Sequence, residues 1–376
     1  MNNELNFSIP CLFGLESLCA DELKRLKLDN VKTENGRVTF TGSIGDIAKV
    51  NINIRTGERV LITIGETKAN SFDELFEGVR EMPWERFIPD DGVFPVKGHS
   101  LNSKLHSTPD CQKIIKKAVV ERLKTKHKTD DLNETAEKYQ IQYAIMNDKA
   151  VLYLDTSGAG LHKRGYRPVG SDAPLRETLA AAIVKLSRYR GRESVFDPFC
   201  GSGTIPIEAA LAAINRAPGL NREFAAERWR GLDKTIWTEA KDEAVSREYK
   251  GDYCIFGGDI DPKCIEISKE NAKRAGVSDH IRFDVVDATK PVEPFLSCNL
   301  ILTNPPYGER VMQHSEAEDL YRRFGIATRA LGKEKDIKMY ILSSHTEFER
   351  TFGKTATKKR KLYNGMIKCD LFMYYQ

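Results

Sequence analysis

The tetrad Asn304-Pro305-Pro306-Tyr307 is the segment whose residue types point most directly to chemistry. It follows the apolar residues 300–303, which are typical of a short buried strand. The two prolines fix the backbone and remove its N–H donors, which leaves the Pro305 carbonyl and the Asn304 side-chain oxygen as rigid acceptors. Two such acceptors can bind an NH₂ group, and the ring of Tyr307 offers a face on which a flipped-out base can stack.

The chemistry that such a site predicts is methyl transfer to an amino nitrogen. The exocyclic amino group of a base is a poor nucleophile because its lone pair is delocalised into the ring. Hydrogen bonds to both of its protons favour a pyramidal nitrogen, whose lone pair can attack a sulfonium methyl group in line without a metal or a strong general base. The alternative is a turn that only ends a strand, since Asn-Pro makes such turns in many proteins.

A glycine-rich loop lies earlier in the chain, after the strand-like residues 194–196. Gly201 and Gly203 allow a tight turn and the close approach of a ligand, which indicates a nucleotide-type ligand at the end of that strand. Pro206 stands where a dinucleotide-binding loop has its third glycine, and Asp197 stands before the loop. A carboxylate repels a pyrophosphate but suits a cationic amino acid, so the loop favours S-adenosylmethionine over NAD. A purely structural turn is the alternative.

Two further acids follow predicted strands. Asp259 closes residues 253–258 and Asp287 closes residues 281–286. The first can bind the two hydroxyls of a ribose, and the second can accept a hydrogen bond from an adenine amino group. Asp259 lies much farther from the loop than the ~20 residues usual for a ribose-binding acid, because residues 213–250 are inserted. The pattern does not predict what this insertion does.

Positive charge is concentrated in residues 97–128, where nine Lys or Arg face two acids although the whole chain carries only +4. Such an excess, with Ser and Thr interleaved, attracts a phosphate backbone. The alternative is a solvated helix face, since several lysines lie at helical spacing beside an apolar stripe. A second basic cluster, 354–361, precedes an apolar strand-like run. The candidate phosphate contacts are Lys104, Lys113, Lys116 and Lys117.

Strands alternate with helices from about residue 174 onward, which predicts a doubly wound α/β domain with a parallel sheet. The earlier half reads as small α+β units, and Asn147-Asp148 is a good turn pair for a hairpin. The predicted strands of that half are 6–10, 37–41, 59–65, 93–97, 139–146 and 149–155, and its predicted helices are 14–28, 45–53 and 110–126.

Four motifs, in this order, resemble those of class I methyltransferases that act on amino groups: DPFCGSGT (197–204), GGDID (257–261), VVDA (285–288) and TNPPYG (303–308). The resemblance implies that Asn304, Pro305, Pro306 and Tyr307 form the catalytic site and hold the target base. The expected S-adenosylmethionine site consists of Asp197, Phe199, Gly201, Gly203, Asp259, Ile260, Asp287, Ala288 and Asn304.

The preceding half resembles the THUMP-domain methyltransferases related to the 23S ribosomal RNA guanine-N2 methyltransferase, which are often labelled N6-adenine-specific DNA methylases. Four segments carry this resemblance: 14–26, 71–89, 103–123 and 155–168. It implies three domains, namely a ferredoxin-like unit (1–65), a THUMP-like RNA-binding domain (66–165) and a class I methyltransferase domain (166–376). Structured RNA is then the expected partner of the basic segment, with Arg164 and Arg167 as further candidates. A second methyltransferase domain, present in larger relatives, is not expected.

The expected function is methyl transfer from S-adenosylmethionine to the N2 of a guanine in RNA, with 23S ribosomal RNA favoured. Open alternatives are transfer-RNA guanine, adenine N6 in DNA or RNA, and a non-catalytic RNA-binding ribosome-assembly factor. No apolar run approaches the ~18 residues of a membrane span, and no signal peptide is evident, so we expect a cytoplasmic protein without a membrane partner. The eight cysteines are scattered, so we expect no metal site.

Overall fold

The computed structural model describes residues 4–167, 175–307, 314–331 and 337–375. The chain forms two compact units. The first contains residues 1–11, 20–161 and 223–242, and the second contains residues 12–19, 162–222 and 243–376. The three-domain division expected from the sequence stays a prediction. Two short segments do not follow the order of the chain, since residues 12–19 lie in the second unit and residues 223–242 in the first. Much of the 213–250 insertion therefore belongs to the first unit.

A seven-stranded sheet organises the first unit, with the order β2-β3-β1-β4-β7-β6-β5. Asn147 and Asp148 join β6 to β7 with φ of 51° and 61°, which is the two-residue hairpin expected from the sequence. The strands are β1 (Leu5–Pro10), β2 (Asp29–Glu34), β3 (Arg37–Gly42), β4 (Leu61–Lys68), β5 (Val96–Leu101), β6 (Ile141–Met146) and β7 (Lys149–Asp155). Helices in this part of the chain are α1 (Glu16–Arg25), α2 (Gly45–Asn53), α3 (Phe72–Arg80) and α4 (Thr108–His127).

The insertion segment 223–242 has its own packing inside the first unit. Trp229 is buried and stacks on Tyr139 with ring centroids 5.0 Å apart. Its indole N–H donates to the Lys138 carbonyl at 3.1 Å, and the Arg230 guanidinium pairs with Asp91 at 2.7 Å. An aromatic anchor flanked by an ion pair holds this segment in place.

The second unit has a sheet of order β10-β9-β8-β11-β12-β14-β13, in which β10 through β12 are parallel and β14 and β13 are antiparallel. Apolar cores lie on both faces, which confirms the predicted doubly wound fold. The strands are β8 (Val195–Asp197), β9 (Ile255–Asp259), β10 (Ile281–Val285), β11 (Leu300–Thr303), β12 (Lys338–Ser343), β13 (Lys358–Asn364) and β14 (Ile367–Tyr374). The helices are α5 (Glu177–Leu186), α6 (Thr204–Ala213), α8 (Pro262–Ala275), α9 (Glu293–Ser297), α10 (His314–Leu331) and α11 (Phe348–Phe352), whereas α7 (Thr235–Ser246) begins in the first unit and ends in the second.

The order of the parallel strands reverses between β8 and β11. From β8 the chain proceeds to β9 and β10 on one side, whereas β11 and β12 lie on the other. Ligands of open α/β sheets bind at the carboxyl ends of the strands at such a switch point. The glycine-rich loop after β8 and the tetrad after β11 therefore lie side by side.

The basic residues 358–361 form part of the strand β13, whereas the sequence indicated a strand only after this cluster. β13 is the edge of the sheet and pairs only with β14 among the described strands. Lysines on an edge strand prevent pairing with another chain, and Lys359 also pairs with Glu349 at 2.7 Å. Every helix within the described ranges is too short or too polar to cross a lipid bilayer.

Candidate functional site

A buried hydrogen bond joins the two loops at the switch point. Thr303, the last residue of β11, donates its hydroxyl to Asp197 Oδ1 at 2.6 Å, and the Phe199 N–H donates to the same oxygen at 3.1 Å. Both Thr303 and Asp197 are buried. Burial raises the pKa of Asp197 to about 7, against the effect of these two hydrogen bonds. Asp197 therefore ties the glycine-rich loop to the strand that carries the tetrad, a structural task that the sequence did not indicate.

The two glycines of the loop have different surroundings. Gly201 and Gly203 have φ of 53° and 80°, so both adopt a backbone that favours glycine. A Cβ added at Gly203 would meet the Ser268 Cβ at 3.0 Å, because this residue caps helix α6 against α8. A Cβ added at Gly201 would meet no atom within 4 Å. Gly201 therefore faces open space in which a ligand can approach the backbone closely.

Asp259 lies at the end of β9 with both carboxylate oxygens oriented by the backbone. Oδ2 accepts from the Gly201 N–H at 3.0 Å, and Oδ1 accepts from the Asp261 N–H at 3.0 Å. Each oxygen keeps a lone pair for another donor, which suits the two neighbouring hydroxyls of a ribose. The next side chain, Ile260, is 70% exposed and offers an apolar surface for a purine ring. These residues fit S-adenosylmethionine.

Asp287 follows β10, the strand beside β9. Its Oδ1 accepts from the Thr289 N–H at 3.0 Å and from the Thr289 hydroxyl at 2.6 Å, while Lys290 approaches Oδ2 at 3.2 Å. The hydrogen bond from the Thr289 side chain lowers the pKa of Asp287, so the group is an ionised acceptor at neutral pH. The neighbouring Ala288 is buried. This carboxylate can accept a hydrogen bond from an adenine amino group.

The tetrad itself is folded onto the core of the second unit. The Tyr307 hydroxyl donates to Asn304 Oδ1, and the Tyr307 ring is partly buried against that core. Burial raises the pKa of Tyr307 well above its ordinary value, and Cys369 beside its hydroxyl raises it further. This differs from the expectation of an open stacking face. Gly308, the last residue of the motif, lies outside the described residues.

Tyr321, on α10, supports the tetrad and was missed by the sequence analysis. Its hydroxyl donates to the Pro306 carbonyl at 2.5 Å and lies 3.4 Å from Ser343 Oγ. Its ring is fully buried and packs edge-on against Phe348, with centroids 4.9 Å apart. Helical periodicity marks this residue as part of the core, but no local signal reveals the bond made by its hydroxyl.

A second contact links α10 to the glycine-rich loop. Phe199 packs edge-on against Phe324, with ring centroids 5.1 Å apart. Residues of α10 therefore reach both loops of the candidate site. No group of three or more His, Cys, Asp or Glu side chains suited to a metal ion occurs among the residues that the structure describes.

The candidate phosphate contacts of the first unit are not equivalent. Helix α4 buries the predicted apolar stripe and leaves Lys113 and Lys117 exposed on the opposite side. Lys104 is also exposed, and its ammonium donates to Asn70 Oδ1 at 3.3 Å. These three lysines are accessible to a phosphate backbone.

Lys116 is instead used by the fold. Its ammonium pairs with Glu134, donates to the Phe94 carbonyl at 3.3 Å and lies 3.5 Å from the centre of the Phe94 ring. An ammonium satisfied by a carboxylate, a carbonyl and an aromatic face has little to gain from a phosphate. The RNA contact of Lys116 stays a prediction, and these contacts make it less favoured than those of Lys104, Lys113 and Lys117.

The prediction that Arg164 and Arg167 contact RNA is corrected, because the first side chain is buried and the second largely buried in the second unit. Arg164 is 3% exposed, with its Nε 3.4 Å from Glu208 Oε1. Arg167 donates from Nε to Glu177 Oε1 at 2.9 Å, and its side chain is 12% exposed. Buried arginines paired with buried carboxylates cannot be exposed to a phosphate without a large desolvation cost for the carboxylate left behind.

Three family models match the chain. The model described as the RMKL-like methyltransferase domain matches residues 164–372, which is more than half of the chain. The models described as the RlmL ferredoxin-like domain and the THUMP domain match residues 6–61 and 69–155.

Individual proteins are similar over almost the whole chain. A Bacillus subtilis (strain 168) protein named "Putative RNA methyltransferase YpsC" is 42% identical over 96% of this chain and 94% of its own length. A Psychromonas ingrahamii "Ribosomal RNA large subunit methyltransferase K/L" is 37% identical over 98% of this chain, which spans only 50% of that relative. The crystal structure of "SMU.472, a putative methyltransferase complexed with SAH" is 38% identical, with a TM-score of 0.92 and coverage of 100% and 99% of the two chains.

Proposed function

Because the chain belongs to the family of RMKL-like methyltransferases with a THUMP domain, we propose that it transfers a methyl group from S-adenosylmethionine to the N2 amino group of a guanine in RNA, with 23S ribosomal RNA as the favoured substrate. The observation that carries the proposal is the joining of the glycine-rich loop to the tetrad strand through Asp197 and Thr303. This hydrogen bond supports the proposal because it links the glycine-rich loop to the strand that carries the tetrad at one switch point. SAH in a relative 38% identical supports the choice of cofactor.

The acceptors of the tetrad are the groups that activate the base. Asn304 Oδ1 takes one hydrogen bond from the Tyr307 hydroxyl and has a second lone pair for an amino proton of the substrate. The Pro305 carbonyl is the other acceptor, and Tyr321 holds the next carbonyl, that of Pro306. Because these acceptors are rigid, they do not have to reorganise when the amino nitrogen becomes pyramidal.

When bound, S-adenosylmethionine would supply a sulfonium methyl group, and its sulfur would leave with the bonding electrons as a neutral thioether. The amino nitrogen forms its bond to the methyl carbon as the sulfur–carbon bond breaks, and the nitrogen then loses one proton to water. Charge thus disappears from sulfur, appears transiently on nitrogen, and leaves as a hydrated proton. The residues of the chain need only orient the two reactants and accept hydrogen bonds, which is why fixed acceptors suffice.

RNA as the substrate class is supported by the names of the relatives, by the THUMP match and by the exposed lysines of the first unit. Guanine N2 is proposed from the resemblance of residues 14–168 to THUMP-domain guanine-N2 methyltransferases, because the Asn-Pro-Pro-Tyr tetrad by itself accepts an adenine N6 amino group equally well. The chain spans about half the length of the K/L relatives, so the substrate of the complete relatives applies to this chain only as a proposal.

The test is tritium transfer from labelled S-adenosylmethionine to 23S RNA, transfer RNA and duplex DNA, followed by digestion and nucleoside chromatography. Label in N2-methylguanosine from 23S RNA is the expected result. Label in N6-methyladenine, or in transfer RNA alone, would keep the chemistry and refute the substrate. The absence of label from every substrate, with the Asn304→Ala protein as the blank, would favour the non-catalytic RNA-binding alternative.

A further inference from the structure

The tip of the β13–β14 hairpin is an apolar side chain that the fold leaves entirely in solvent. Asn364 pairs with Ile367, so the turn consists of Gly365 and Met366, and Gly365 has a φ of 65°. Met366 is 98% exposed, the largest exposure of any large apolar side chain among the described residues. Nothing in the packing of the second unit accounts for methionine at this position.

The hairpin extends beyond the edge of the sheet that carries the candidate site. β14 is antiparallel to β12, with Asp370 opposite Ser343, the last residue of β12. β12 runs parallel to β11, the strand that leads into the tetrad. Met366 lies four residues beyond Asp370, so the tip projects roughly 13 Å past the carboxyl end of β12.

The base of the hairpin contacts the tetrad. The side chains of Asn364 and Cys369 lie next to the Tyr307 hydroxyl, and that hydroxyl donates to Asn304 Oδ1. Cys369 is buried and pairs with Leu362 across the hairpin. The hairpin is therefore continuous with the site that would hold the target base.

The charge of the hairpin matches a phosphate backbone. Residues 358–374 contain five Lys or Arg and a single acid, Asp370. Arg360 donates to the Gly14 carbonyl, so its guanidinium is used by the fold. Lys361 and Lys368 are exposed on the same strands that lead to Met366, and Tyr363 lies directly opposite Lys368. A single apolar tip between cations fits a nucleic acid, whose bases can contact the tip while its phosphates contact the cations. A protein partner would require a wider apolar patch.

We propose that Met366 is a wedge that enters the base stack of an RNA stem where the target guanine is flipped out toward the tetrad. Lys361 and Lys368 contact the flanking phosphates. This inference rests on the proposed function. Apolar side chains, including leucine and methionine, act in this way in proteins that unstack nucleic acids, because the side chain replaces part of the lost stacking. The position of the hairpin beside the tetrad would let one element open the helix while the other receives the base.

The test compares a paired with an unpaired target. The nucleotide that the wild-type protein methylates is first mapped in unmodified 23S RNA, and a short stem with that guanine paired is compared with the same strand alone. Met366→Ala should lower kcat/KM on the stem by about tenfold or more and leave the single strand within about twofold of the wild type. Met366→Leu should retain most of the activity. Ile326→Ala, which removes a side chain 56% exposed on α10, is the matched control.

Each other outcome has a distinct meaning. Equal activity of Met366→Ala and wild type on the stem would refute the wedge, and so would an equal loss on both substrates, which would assign the hairpin a general role in RNA affinity. A mapped guanine that is unpaired in the folded RNA would also refute it. Failure of the wild-type protein to methylate any RNA would refute the proposed function, and is separable from the other results because it does not depend on the variant.

Discussion

Replacing Asp197 by asparagine should stabilise the protein at neutral pH. It should also weaken the binding of S-adenosylmethionine, because the proposed cofactor site loses a carboxylate that suits a cationic amino acid. The carboxyl group is buried, and its pKa is raised from 3.8 to about 7. An asparagine Oδ1 could still accept the hydrogen bonds from Thr303 and from the Phe199 N–H. The variant thus removes a buried charge and keeps its two observed contacts.

The magnitude follows from the difference between the two pKa values. Raising the pKa from 3.8 to about 7 corresponds to about 4 kcal/mol, which is an upper bound on the cost of ionising Asp197 in the folded protein. Because the folded-state pKa lies above the unfolded one, the wild type has the full benefit of the protonated group only below about pH 4. It loses that benefit as the pH rises to about 7. The advantage of Asp197→Asn in the free energy of unfolding should therefore grow between pH 5 and pH 8.

The assay is urea unfolding of both proteins at pH 5, 6, 7 and 8, together with titration calorimetry of S-adenosylmethionine at pH 8. The control is Asp287→Asn, whose carboxyl has a lowered pKa. Its contribution is lost only as the pH falls below the ordinary range of Asp, so its effect should be constant over this pH series. A difference between wild type and Asp197→Asn that does not change with pH would refute the assignment of a buried, pKa-shifted carboxyl to the junction of the two loops.

Three further predictions concern positioning, cofactor and RNA. Tyr321→Phe, which removes the donor to the Pro306 carbonyl, should lower kcat by about tenfold with unchanged cofactor affinity, and an unaltered kcat would contradict its role in holding the tetrad. Gly201→Ala should weaken S-adenosylmethionine binding in calorimetry by at least ~10-fold, because it adds backbone strain and fills the open space of the loop. Gly231→Ala, at a glycine that also faces open space but without positive φ, should bind normally. Reversing the charge of Lys113 and Lys117 together should reduce the slope of log K against log salt by about 1.5, and an unchanged slope would return both residues to a solvated helix face.

Strands and turns that depend only on neighbouring residues could be predicted from the sequence. Apolar runs predicted the parallel strands, and the loops that follow them had to meet at the carboxyl edge of one sheet. The positive φ of Gly201 and the turn at Asn147 were also predictable, because glycine and asparagine tolerate backbone conformations that other residues avoid. Periodicity failed for β2 and β13, two edge strands whose polar residues do not alternate with apolar ones.

The roles of polar side chains could not be predicted in this way, because they depend on partners distant in sequence. Lys113 and Lys116 are indistinguishable in the sequence, yet only Lys116 meets Glu134 and the Phe94 ring. The sequence offers Arg164 as a candidate RNA contact, whereas in the folded chain it is buried beside Glu208. Spacing along the chain encodes which face of an element is buried, whereas the charge available to a substrate depends on which opposite charge the folded chain brings within a few ångströms.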